Sequence, residues 1–80
     1  MTKLEKFLRK LTAKRRAQIE PVIEKVVSRD FSGLNFIKLG GLGNLFRVRQ
    51  GNIRIIFSMS DVEPVKLIRV EFRGDTTYNF

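Results

Sequence analysis

Eighty residues suffice for one compact domain, 1–80, with a thin core, because a chain this short buries only about two thirds of the surface it exposes unfolded. The absence of cysteine and histidine excludes disulfides, thiolate zinc sites and the usual general base at neutral pH; no metal or cofactor is expected. Sixteen Lys and Arg against eight Asp and Glu give a net charge of +8, which suits a polyanionic partner.

The first half reads as helix. Thr2 with Glu5 fits a capping box, and Leu4, Phe7, Leu8 and Leu11 follow at helical spacing. Thr12 interrupts and suits the cap of a second helix with Ile19, Val22, Ile23, Val26 and Val27 on one face. Pro21 falls inside that pattern and is expected to kink or restart it. The two form an αα-hairpin with one apolar side. No stretch is apolar enough to span a membrane, and "MTKLEKFLRK" lacks a signal-peptide core, so a cytoplasmic location and no membrane partner are expected.

"SRDFSGLN" breaks the helical period, and alternation takes over. "NLFRVRQ" and "NIRIIFSM" meet at Gly51-Asn52, a pair suited to a two-residue hairpin turn. That turn sets Gln50 opposite Ile53, Arg49 opposite Arg54, Val48 opposite Ile55, Arg47 opposite Ile56 and Phe46 opposite Phe57. Parity then puts Phe46, Val48, Ile53, Ile55, Phe57 and Met59 on the face that the helices cover. "SDVEP" is a loop, and "VKLIRVEFR" is a third strand with Ile68, Val70 and Phe72 inward. "GDTTYNF" reads as a short tail. The fold class is α+β, a helical hairpin packed on one face of a small antiparallel sheet.

The other face collects Arg47, Arg49, Arg54, Arg69 and Arg73 around one acid, Glu71. Like charges directly opposite each other, as Arg49 and Arg54 are, destabilise a hairpin. An ordinary open face of a half-covered sheet would mix Lys, Glu and Thr. Arginines facing one another point instead to an anion site, since the planar guanidinium matches phosphate oxygens. The run "GGLGN" has no Lys-Ser/Thr after it and fails the phosphate-loop pattern; Gly40, Gly41 and Gly43 are expected to supply unusual backbone angles. Tyr78 either packs its ring on the core or, if close to the arginines, stacks on a base.

The runs "KLGGLGNLFRVRQGNIRIIFSM" and "VKLIRVEFRGDTTY" resemble the bacterial RelE/ParE toxin superfamily. Shared features are the Lys-Leu-x-Gly entry, the basic-x-basic strand, the Gly-x-x-Arg hairpin and a last strand ending in Arg with Tyr soon after. "LEKFLRKLTAKRRAQIEPVIEKV" looks like that family's paired helices. The resemblance implies the toxin of a type II toxin–antitoxin system, in its RelE branch a ribosome-dependent, metal-free mRNA endonuclease (mRNA interferase) that inhibits translation. The partners implied are a cognate antitoxin protein, the ribosome and mRNA, with the free toxin a monomer.

Carried over by position, the catalytic set is Arg54, Arg73, Arg49 and Tyr78, and the nucleic-acid-binding set is Arg47, Arg69 and Lys38. Arg54 would stabilise charge on the phosphate, Arg73 would assist the leaving group and Tyr78 would stack on a base. Two departures stand out. The strand that opens the family fold has no counterpart before the first helix, and Arg49 stands where a lysine often acts as base. A guanidinium does not deprotonate in a protein, so proton removal would fall to Glu71 or Tyr78, or catalysis would rest on electrostatics. Two alternatives follow: a gyrase-inhibiting ParE-type toxin, and a catalytically weak relative that binds RNA or its antitoxin without cutting.

Overall fold

A computed structural model describes residues 2–40, 43–74 and 76–80. Two helices, α1 (Lys3–Lys10) and α2 (Ala13–Val27), precede five strands: β1 (Asn35–Lys38), β2 (Leu45–Gln50), β3 (Ile53–Ser58), β4 (Lys66–Phe72) and β5 (Thr77–Asn79). All neighbouring strands are antiparallel and lie in chain order, so the sheet is a five-stranded meander. The fold is α+β.

Short-range chemistry fixes the helix ends. Thr2 Oγ1 accepts from the Glu5 amide at 3.1 Å while Glu5 Oε1 accepts from the Thr2 amide at 3.5 Å, the expected capping box. Thr12 Oγ1 accepts from the Arg15 amide at 3.2 Å and starts α2. The Leu11 amide donates to the Leu8 carbonyl at 3.3 Å, and Arg16 Nε donates to the same oxygen at 3.2 Å, tying α2 to the end of α1. Pro21, expected to kink or restart the second helix, lies inside a single α2. Pro21 and Ala17 are exposed, so water can serve the Ala17 carbonyl that the proline cannot bond.

α2 closes with a Schellman motif. The Asp30 amide donates to the Lys25 carbonyl at 2.9 Å and the Arg29 amide to the Val26 carbonyl at 3.1 Å. The left-handed position, usually glycine, is Arg29 at φ 60°. Its guanidinium donates to the carbonyls of Ser60 and Glu63 at 2.8 and 2.7 Å, so the strained residue also ties the helix end to the β3–β4 loop.

The core lies between the helices and one sheet face. Ile19, Val22, Ile23 and Val26 of α2, with Phe7 and Leu11, are buried together with Val48, Ile53, Ile55, Phe57, Val70 and Phe72. The aromatic rings of Phe31, Phe36, Phe46 and Phe57 stack along it, the closest pair being Phe31 and Phe36 at 4.1 Å.

Three features differ from the expectations of the sequence. β1 was not expected and β5 was expected as a tail; at four and three residues they are too short to be recognised by alternation, and pairing with β2 and β4 defines them. A bulge in β4 sets Ile56 opposite Arg69 but Phe57 opposite Leu67. The unpaired residue is Ile68, and the slip turns Leu67 toward the core and Lys66 onto the open face, reversing the parity expected for Ile68 and Leu67. In the loop before β2, Gly43 takes φ 93° while Gly40 has no positive φ; Gly41 lies outside the described residues.

Candidate anion-binding face

The hairpin that carries the arginines turns at Gly51-Asn52, and its register is the one read from the sequence, with Arg49 opposite Arg54. Gly51 has φ 58° and Asn52 does not have a positive φ, the combination of a type II′ turn with glycine in first place. Its backbone twist matches that of the flanking strands, which holds the two arginines in direct register.

Pairing across all five strands arranges the open face in rows. The row nearest the turn runs Asn35, Arg49, Arg54, Glu71, Thr77. The next runs Ile37, Arg47, Ile56, Arg69, Asn79. Beyond it come Leu45, Ser58 and Lys66. Rows lie about 7 Å apart along the strands and neighbours within a row about 5 Å apart.

Arg73 stands just past β4. Its amide donates to the Asn52 carbonyl at 2.7 Å, which pins the β4–β5 connection to the hairpin turn. Beside that bond lies an open cavity of about 320 Å³ whose lining includes Arg49, Arg54, Arg73, Glu71 and Thr77, together with the turn residues Gly51 and Asn52 and the core residues Ile53 and Phe72. Among the described residues, three cations and one carboxylate thus line one concave space.

The charges are unequally restrained. Glu71 is shared, 3.7 Å from Arg54 and 3.5 Å from Arg69. Arg69 is held further by Asn79, whose Oδ1 accepts from its Nε at 3.2 Å. Both arginine side chains are nearly half exposed, so each ion pair contributes at most about 1 kcal/mol. Arg49 and Arg73 have no side-chain hydrogen bond or ion pair among the described residues, which leaves their donors available to a ligand. Arg47 is half-buried between Ile37 and Ile56, and its Nε is buried with no hydrogen-bond partner among the described residues.

Of the residues picked out from the sequence, the fold brings Arg49, Arg54 and Arg73 into one cavity and lines Arg47 and Arg69 up in the adjacent row. Two stand elsewhere. Lys38 pairs with Phe46, at the end of edge strand β1, on the opposite parity from Arg47. Tyr78 pairs with Val70 and so faces the helices, its ring 5.0 Å from Phe7 and 6.1 Å from Phe72 in edge-to-face contacts. Of the two placements open to Tyr78 from the sequence, the structure has the core-packed one; β5 sets the parity, and β5 was not legible.

Lys66, Thr77 and Asn79 were missed as members of the open face. The bulge hides Lys66, whereas the alternation Thr77-Tyr78-Asn79 marks the other two once β5 is known to be a strand. Among the described residues no group of three or more acidic side chains is placed to hold a metal ion. No helix among them is long and apolar enough to cross a membrane.

Comparison with protein-family models, with curated proteins and with solved structures returned no match for this chain.

Proposed function

We propose that the protein is a RelE-like toxin of a type II toxin–antitoxin pair, acting in the cytoplasm as a ribosome-dependent mRNA endonuclease. The observation that carries this reading is the presence of Arg49, Arg54 and Arg73 around one cavity of about 320 Å³ that Glu71 also lines. Catalysis is electrostatic: donors arranged around the scissile phosphate stabilise charge that grows in the transition state.

In the proposed reaction the ribose 2′-oxygen attacks the adjacent phosphorus and the bond to the 5′-oxygen breaks. The products are a 2′,3′-cyclic phosphate and a 5′-hydroxyl. Glu71, the carboxylate among the described residues lining the cavity, accepts the 2′-hydroxyl proton, since none of the arginines can. Arg54 and Arg49 hold the non-bridging oxygens. Arg73 supports the departing 5′-oxygen, which takes its proton from water. Tyr78 has no part in this scheme, because its ring is packed against Phe7.

A cognate antitoxin would neutralise the monomeric toxin. An apolar cleft of about 500 Å³ between α1 and α2, with Leu4, Leu8, Ile23 and Val27 in its walls, supports a protein partner on the side away from the arginines.

A second reading, an RNA- or antitoxin-binding relative that does not cut, is favoured by the absence of an aromatic ring from the arginine face and by Arg49 in place of a lysine. Primer extension on a message in a bacterial translation extract separates the two. Discrete new ends that require translation and vanish in Arg54→Ala and Arg73→Ala support the endonuclease. Tight ribosome binding with an intact message supports the binder. DNA damage with intact messages would turn the reading toward a gyrase inhibitor.

A further inference from the structure

The row next to the cavity alternates apolar and cationic side chains: Ile37, Arg47 and Ile56 are in direct register on β1, β2 and β3. Ile37 is 38% exposed, Ile56 is half-buried, and both lie on the sheet face that no helix covers. Apolar side chains on an open face surrounded by arginines serve neither the core nor solubility. Arg47 between them is half-buried, its Nε without a hydrogen-bond partner among the described residues.

This alternation of apolar side chains with a guanidinium fits a flat, apolar group that settles on the row while its charged neighbour is held by the cavity. We propose that Ile37, Arg47 and Ile56 form a base-stacking platform for a single-stranded nucleic acid whose phosphate occupies the arginine cavity. The proposal rests on the nucleic-acid reading and supplies what Tyr78, packed into the core, does not. The geometry agrees: the rows are about 7 Å apart along the strands, close to one nucleotide of an extended strand. A base has a π-face that apolar side chains and a guanidinium plane both accept, whatever its identity. The platform is therefore sequence-tolerant, and Arg47 contributes stacking as well as charge.

The test uses the whole chain and two short, uncleavable 2′-O-methyl strands of equal length and charge, one with bases and one abasic. Wild type is expected to bind the intact strand at least about tenfold more tightly, the scale of one stacked base. Ile37→Thr with Ile56→Thr keeps β-branching at both positions, and an unchanged melting profile checks the fold. The pair of changes should erase most of the difference while leaving the abasic affinity as it was. Equal binding of both strands by wild type, or an equal loss for both in the variant, overturns the platform but not the anion site. Binding of neither strand, while inorganic polyphosphate still binds, overturns the nucleic-acid reading itself.

Discussion

Replacing Arg49 by threonine should make the protein more stable and a poorer anion binder. Arg49 lies directly opposite Arg54, and Glu71 stands on the far side of Arg54, where it already serves Arg69 as well. Arg49 therefore meets a like charge that no acid of its own offsets among the described residues. Unit charges about 5 Å apart repel by about 0.8 kcal/mol at the dielectric of water, and cross-strand like pairs fall within about 0.2–1 kcal/mol. Threonine adds a modest gain in strand preference. The expected stabilisation is about 0.5–1 kcal/mol, or roughly 2–8 °C in melting temperature for a domain of this size. Thermal and urea unfolding at low and high ionic strength would measure it. Salt should raise wild-type stability more than that of Arg49→Thr, because screening removes only the repulsion that the wild type has. A variant less stable than wild type, or a gain that salt leaves unchanged, would refute the argument that this pair is held against stability for the sake of a ligand.

Three further outcomes follow from the fold. Arg29→Ala should cost about 1–2 kcal/mol by losing the bonds to Ser60 and Glu63 while keeping the left-handed strain, and Arg29→Gly should recover about 1 kcal/mol of that in denaturant unfolding. Hydrogen bonds from the Ser32 hydroxyl and amide hold the Asp30 carboxyl below its usual 3.8. Its stabilisation is thus complete above that value and fades as pH falls through the lower folded one, so Asp30→Asn should lower stability at pH 7 and flatten the acid limb of a pH titration below about pH 4. Tyr78→Phe should leave both stability and message cleavage within about twofold of wild type, since the ring faces Phe7 and Phe72; loss of cleavage with stability intact would restore a catalytic role for the hydroxyl.

Much of the arginine face could be read before the structure, and the reason is local. Gly51-Asn52 imposes a two-residue turn, the turn imposes register, and register decides that Arg47, Arg49 and Arg54 share a face. The helix starts at Thr2 and Thr12 were equally legible, because a cap depends on residues three positions apart. What the residues alone left open was settled by long-range pairing. β1 and β5 exist because β2 and β4 offer them backbone partners; neither short segment carries a pattern of its own. The bulge at Ile68 moves Lys66 and Leu67 across the sheet, and no alternation rule counts a residue that pairs with nothing. α2 runs through Pro21 because the proline faces water. Parity put Arg73 on the arginine face, but the hydrogen bond from its amide to the Asn52 carbonyl, across 21 residues, is one that no spacing motif encodes. Tyr78 turns away from the arginines for the same kind of reason: its side is decided by the strand it pairs with, and that strand was a decision of the tertiary structure.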